Sequence, residues 1–351
     1  MSGPYRTGRT RILPANSPTQ VEQSDSQLIP EAFLASGQTL PGESKASLRN
    51  FWPTASNHFR SSCKEEVKDE AMETHRIHPE LLKHKVRVLV VGCGGNGSTI
   101  AAGLPYLHQA LLAYGHPEGI HVTLLDPDVI SPTNCVRQPF SQSEIGLYKS
   151  VVLANRLNLF WGLDWQGVPE RLDPTRRLDG VEIVIGCVDT RRARAAIAKC
   201  AEDWSEVDYW LDLGNNADSG QFVLGEPLNR RNRRHRLRLR TVSELFPEVI
   251  QSDVDADGLP SCSAAEALDR QEPFVNPTLA NHALALLARM FRYGTISYHG
   301  AFVGLSWLAG MQALRIDPTH WQRLRKKARH GERLKHGALA PTERSHHTDQ
   351  A

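Results

Sequence analysis

Between Val91 and Ser98 the chain reads Gly92-Cys93-Gly94-Gly95-Asn96-Gly97, four glycines in six residues. Glycine lets a backbone come close to phosphate, and such a run between a strand and a helix aims unpaired N–H groups and the positive end of the helix dipole at an anion. The motif alone says only that a nucleotide binds, and a nicotinamide enzyme is the first class it suggests. The plain alternative is a tight strand-to-helix turn that holds no ligand.

The next residues with chemistry are Asp126 and Asp128, then Asn134, Arg137 and Gln138, in the stretch Asp126-Pro-Asp128-Val-Ile-Ser-Pro-Thr-Asn134-Cys-Val-Arg137-Gln138. An acidic residue ending the second strand can hold ribose hydroxyls, which suits NAD and ATP equally. The amide, guanidinium and second carboxylate that follow have no function in a simple dehydrogenase. Lys149 comes eleven residues after Gln138. Arg137 and Lys149 beside a phosphate loop can neutralise a triphosphate and the charge that develops on leaving pyrophosphate, although either cation alone reads as a solvated surface charge. Asp189 ends another apolar run, where a carboxylate suits Mg²⁺ or caps the helix that begins near Arg191.

These residues need a scaffold that brings strand ends together. Val86–Val91, His121–Asp126, Val181–Asp189 and Tyr209–Gly214 read as buried strands, and the stretches from Ser98, Lys149–Leu157 and Arg191–Ala201 read as helices. Their alternation predicts an α/β fold, a doubly wound, mostly parallel sheet with helices on both faces. An amphipathic helix is expected over Pro277–Met290. Tyr298–Leu308 and Met311–Ile316 are expected to close the domain as an antiparallel C-terminal extension. Residues 1–75, rich in Ser, Pro, Gln and Thr, read as largely disordered; 76–322 read as the folded domain and 323–351 as a basic tail.

Bulk properties exclude several classes. With 40% hydrophobic and 23% charged residues and a formal net charge of +2, the 351-residue chain has neither a membrane protein's composition nor a global attraction for nucleic acid. No apolar run approaches a bilayer span and the N-terminus has no apolar signal core, so a cytoplasmic location is expected. The six cysteines show no Cys-x-x-Cys spacing, which argues against a disulfide framework and a thiolate zinc site. Seven arginines fall in Asn229–Arg240. They read as a solvated loop, as a docking surface for an acidic partner or nucleic acid, or as a strand in which Arg238 and Arg240 form a wet face against Leu237 and Leu239.

Taken in order, Gly92–Gly97, Asp126-x-Asp128, Asn134-x-x-Arg137-Gln138, Lys149 and Asp189 resemble the adenylation site of the ThiF/MoeB/ubiquitin-activating superfamily, over roughly Val86 to Met290. Within it the chain is most similar to the ThiF family of the PRTRC plasmid cassette, which also encodes ParB-related and ubiquitin-like proteins. The resemblance implies a Rossmann-like fold and ATP with Mg²⁺. It also implies Asp126 on ribose, Asn134, Arg137 and Lys149 on the phosphates, and Asp189 on the metal. The implied activity is adenylation of the C-terminal carboxylate of a ubiquitin-like protein, by a homodimer. A thioester would then need an exposed cysteine. Cys262, in the polar loop Asp257–Ala267, resembles the family's Cys-x-Glu-Ala segment with a Cys-to-Glu spacing longer by two. Leu245-Phe246-Pro247-Glu248 also matches, but Thr241 and Glu244 stand where the family carries half of a zinc site, so structural zinc is not expected. Arg76 is the counterpart of an arginine donated across the dimer. Competing functions are a non-catalytic nucleotide-binding scaffold, adenylation of a small-molecule or tRNA carboxylate, and a nicotinamide-dependent oxidoreductase, the last opposed by Asn134–Gln138 and Lys149.

Overall fold

The computed structural model describes residues 73–202, 205–235, 237–251, 272–305 and 310–324. Chain order runs through strands β1 (His75–Arg76), β2 (Val86–Val91), β3 (Ile120–Leu125), β4 (Gln166–Val168), β5 (Ile183–Gly186), β6 (Tyr209–Asn215), β7 (Ser219–Gly225), β8 (Thr295–Ile296), β9 (Tyr298–Gly304) and β10 (Met311–Arg315). The helices are α1 (Gly95–Ala113), α2 (Asn134–Arg137), α3 (Lys149–Trp161), α4 (Arg191–Ala201), α5 (Val242–Leu245) and α6 (Val275–Tyr293).

Eight strands form one sheet in the order β10-β9-β7-β6-β5-β2-β3-β4. From β4 to β6 all neighbours are parallel, and from β6 to β10 all are antiparallel. The β-branched run Val86–Val91 is buried at every position but Arg87, as expected of a strand covered on both faces. It lies between β3 and β5, so the chain leaves it first to one side and later to the other. That makes the C-terminal end of β2 the topological switch point, where open α/β sheets bind ligands.

The doubly wound reading and the antiparallel extension therefore hold. The expected strand over Val181–Asp189 narrows to Ile183–Gly186, although the Glu182 and Cys187 N–H groups at its two ends still donate to Arg87 and Val91 of β2. Strands β4 and β7 were not foreseen. β4 has only three residues, and β7 has just the three apolar residues Phe222, Val223 and Leu224 between glycines, so neither shows an apolar period. The amphipathic helix is longer than Pro277–Met290. It begins at Val275, two residues before the proline, which can sit in a first turn because it needs no hydrogen-bond donor there. A helical turn over 318–324 crosses the expected start of the tail at Arg323. None of the described helices is long and apolar enough to cross a membrane.

The arginine run is not a strand with a wet face. Arg238 is buried, donating to both Glu244 oxygens at 2.8 and 2.6 Å and to the Glu226 carbonyl, while Arg240 reaches Glu244 at 3.0 Å and Arg231 reaches Asp208 at 2.9 Å. The turn is held by Asn229 and Asn232, whose side chains bond the backbone around Val207. Three of the arginines thus satisfy internal carboxylates, which leaves fewer for an outside partner.

Beside this turn, His299 on β9 is fully buried. Its Nε2 accepts the Trp321 indole N–H at 3.1 Å, so its Nδ1–H donates to the Leu224 carbonyl at 2.7 Å. Burial pushes this imidazole from 6.5 down to about 4. The unfolded chain takes up the proton near pH 6.5 and the folded chain only near 4, so stability present above 6.5 is lost as pH falls toward 4, about 3 kcal/mol at the full shift. His299→Gln offers the same donor and acceptor without a titrating proton. Its melting temperature is expected to fall less than that of the wild type between pH 7 and 4.5; matching profiles would remove His299 as a source of acid sensitivity.

Candidate functional site

The glycine loop is built by close approaches. Gly92 has φ +92°, and a Cβ on it would lie 2.6 Å from the Cys187 carbonyl. A Cβ on Gly97 would run into the Gly92 carbonyl, and one on Gly95 into the Asn276 amide that opens α6. Gly92 and Gly97 are thus required by backbone packing, and Gly95 by the present position of the Asn276 side chain. Gly94 differs, since a Cβ there would meet nothing within 4 Å. Gly94 is also the N-cap of α1 and gives it no side-chain cap. The first N–H groups of a nineteen-residue helix thus lie without a side-chain cap beside the open space at Gly94, an arrangement suited to an anion.

Asp126 holds the loop in place. One of its oxygens accepts the Cys93 N–H and the other the Asp128 N–H at 2.8 Å. Burial raises its pKa, and the two N–H donors pull the other way. Each oxygen keeps a lone pair for a ribose hydroxyl. Asp128 faces solvent and takes the Lys149 ammonium at 3.0 Å, and the Lys149 N–H donates to the Asp128 carbonyl at the same distance. Lys149, the first residue of α3, is itself almost fully buried. Ser150 next to it bonds the Asp126 and Val168 carbonyls, tying β3, β4 and α3 together at one corner.

Asn134 and Arg137 belong to α2, and Gln138 ends it. The Asn134 oxygen accepts the Ser131 N–H at 2.9 Å, so this side chain shapes its own turn and keeps only its NH₂ for a ligand. Arg137 is half-buried, which lowers its pKa. The Gln138 Oε1 is buried without a hydrogen-bond partner, and so is the Asn96 Oδ1 in the glycine loop. Unsatisfied buried acceptors are costly and point to a missing donor.

Asp189 follows β5 on the same edge of the sheet. It is not the cap of α4: Thr190 is the N-cap, its hydroxyl accepting the Ala193 N–H at 3.2 Å. The Asp189 carboxylate is exposed and not committed to capping, as a Mg²⁺ ligand must be. Behind it the buried Arg194 guanidinium donates to both Asp212 oxygens, at 2.9 and 3.0 Å, and to the Val188 carbonyl. Burial lifts Asp212 to about 6, against the pull of Arg194.

Two site residues were missed from the sequence. Asn215, ending β6, accepts from Asn96 Nδ2 at 2.8 Å, and Asn276 packs on Gly95. The only sequence signal was an asparagine at a strand's C-terminal end and another opening a helix. Cys93 and Cys187 adjoin the loop, but burial pushes both thiols up, so they are packing residues. Cys262 lies outside the described residues.

Residues 76–214 match the ThiF family. No curated protein matches the chain. Similar solved structures include PaaA as its selenomethionine form (16% identity, 66% of this chain and 64% of that chain, TM-score 0.43). E. coli MccB with ATP is also similar (17% identity, 67% and 64%, TM-score 0.42). TcdA (CsdL) is 30% identical over a shorter stretch, 33% of this chain and 46% of that chain, with TM-score 0.27. The chain thus spans less than two thirds of the length of each.

The capping assignment separates two neighbouring residues. Thr190→Ala is expected to cost about 1 kcal/mol of stability, whereas Asp189→Asn is expected to stay within about 0.5 kcal/mol of wild type. Denaturant titration of the two variants checks this, and a larger loss in Asp189→Asn would return the cap to Asp189.

Proposed function

With residues 76–214 forming a ThiF-family domain, we propose that this chain uses ATP to adenylate a carboxylate. The observation that carries the reading is the uncapped start of α1 opening at Gly94 onto free space, at the switch point of the sheet. Around that opening, Lys149 and Arg137 supply positive charge. Asp126 supplies ribose acceptors, and the unpaired Asn96 and Gln138 carbonyls supply acceptors for ligand donors. Two cations near one phosphate loop suit a triphosphate better than a dinucleotide.

In the reaction, a carboxylate oxygen attacks the α-phosphorus of ATP and the bond to the β-phosphate bridging oxygen breaks. The products are an acyl-adenylate and pyrophosphate. The N–H groups of α1, Arg137 and Lys149 stabilise charge on the phosphoryl oxygens and on the departing pyrophosphate. Asp189 would hold Mg²⁺, which when bound neutralises phosphate charge. Arg76 is exposed on β1, whose neighbour His75 bonds Tyr209 at the start of β6, the sheet edge opposite the glycine loop. We therefore assign it to the site of a second copy in a homodimer.

The substrate we propose is the C-terminus of a ubiquitin-like protein, since the chain as a whole resembles the ThiF family of the PRTRC cassette, which also encodes ubiquitin-like proteins. Pyrophosphate exchange into ATP, with and without such a protein, tests both levels. Exchange is expected only with the carboxylate substrate present, and Asp189→Asn is expected to slow it by about 10²-fold. Micromolar binding of NAD with no binding of ATP would overturn the proposal.

Cys262 is the residue we propose for a thioester. Cys262→Ala is expected to retain exchange and to lose any reductant-sensitive adduct with the substrate protein. An adduct persisting in this variant would move the nucleophile to another cysteine.

A further inference from the structure

At the opposite edge of the sheet from the glycine loop, three residues distant in sequence converge. His75 comes from β1, Glu226 from the end of β7, and His235 from the arginine turn. One ligand atom of each lies within 4.8 Å of the others. The Glu226 carboxylate is at the centre, with Oε1 3.0 Å from His235 Nδ1 and Oε2 3.6 Å from His75 Nδ1. We propose that these residues bind a divalent transition metal ion, Zn²⁺ being the best match, at a site separate from the nucleotide and its Mg²⁺.

The strongest observation is His75. The residue is 1% exposed, and its Nδ1 is buried with no hydrogen-bond partner. That nitrogen faces a carboxylate oxygen at 3.6 Å, too far for a hydrogen bond. The Leu237 backbone lies close by but forms no hydrogen bond of normal geometry with it. In the tautomer whose Nε2–H donates to Tyr209, Nδ1 carries its lone pair, and two acceptors confront each other in a dry interior. A cation between them satisfies both.

The surroundings are those of a supported ligand set. The other nitrogen of His75 is bonded to the Tyr209 hydroxyl at 2.8 Å, which fixes the ring with Nδ1 turned to Glu226. Glu226 Oε2 accepts the Leu239 N–H at 2.7 Å, and Oε1 lies 2.7 Å from His78 Nε2. His78 is in turn 3.7 Å from Asp208. Outer contacts of this kind orient metal ligands and tune their basicity. Two imidazoles and one carboxylate form a donor set suited to Zn²⁺, Co²⁺ or Ni²⁺, and poorly suited to Mg²⁺. The His235 side chain is 36% exposed and lines a cavity of about 310 Å³ with Arg233, Arg240 and Trp321. Three protein ligands with one side open to a cavity leave the fourth position of a tetrahedral ion to water or an anion.

The test uses the full chain, stripped with chelator and dialysed. Titration with Zn²⁺ by calorimetry is expected to show one tight site per chain. Co²⁺ is expected to give the visible absorption of a tetrahedral nitrogen–oxygen site. Zn²⁺ a hundredfold above Kd is expected to raise Tm by roughly 5 °C or more. His235→Ala, at an exposed position, and Glu226→Gln, of the same shape, are each expected to weaken binding by about 10²-fold or more, in the range seen on loss of a metal-site group. A wild-type chain that binds neither metal would overturn the proposal. So would binding that survives unchanged in both variants, which would place the ion elsewhere, such as at His346 and His347.

Discussion

The architecture of the glycine-loop edge depends on one steric constraint, the passage of three backbone segments through a space with no room for a side chain. Gly97 lies against the Gly92 carbonyl, and Gly92 lies against the Cys187 carbonyl at the end of β5. The Gly92 N–H donates to Leu125 and the Cys187 N–H to Val91, so β2, β3 and β5 are locked at the level of the loop. Only with that closeness can α1 start directly at the sheet edge, with its N-terminus on the line where the parallel strands end. A methyl group at either glycine would push the helix start away from β5 and separate Asp126 from the backbone it holds.

Polar contacts then fix the corners around this crossing. Asp126 couples the glycine loop to β3, Lys149 and Asp128 couple the end of β3 to α3, and Arg194 with Asp212 couples α4 to β6. Each pair sits within or beside the low-dielectric sheet, where an unpaired charge is costly, so the pairs specify geometry more than they add stability. The opposite edge is organised in the same manner, with Glu226 gathering three imidazoles and a backbone N–H. The sheet thus carries two polar foci separated by the length of its strands.

Much of this was legible in the sequence because its signals are local. The apolar runs gave β2, β3, β5 and β6, and the glycine spacing gave the loop and the start of α1. The acidic ends of β3 and β5 lie on the same edge because parallel strands all end there. What was not legible depends on long-range packing. Asn215 and Asn276 reach the loop from residues over a hundred positions away. Thr190 rather than Asp189 takes the cap because the helix begins one residue after it, a difference below the accuracy of a pattern. The arginine run misleads for the same reason: Glu244 is a local partner, but the Asp208 carboxylate and the Glu226 carbonyl are brought to it only by the fold.

The open space at Gly94 divides the glycine motif into two kinds of information. Gly92, Gly95 and Gly97 are demanded by the polypeptide's own atoms, so their presence records that the crossing is folded and would persist in a descendant that had lost every ligand. Gly94 has no such neighbour, since a Cβ there would meet open space. A side chain at this one position, with the other three glycines unchanged, would therefore fill the opening at the start of α1 while leaving the backbone crossing undisturbed.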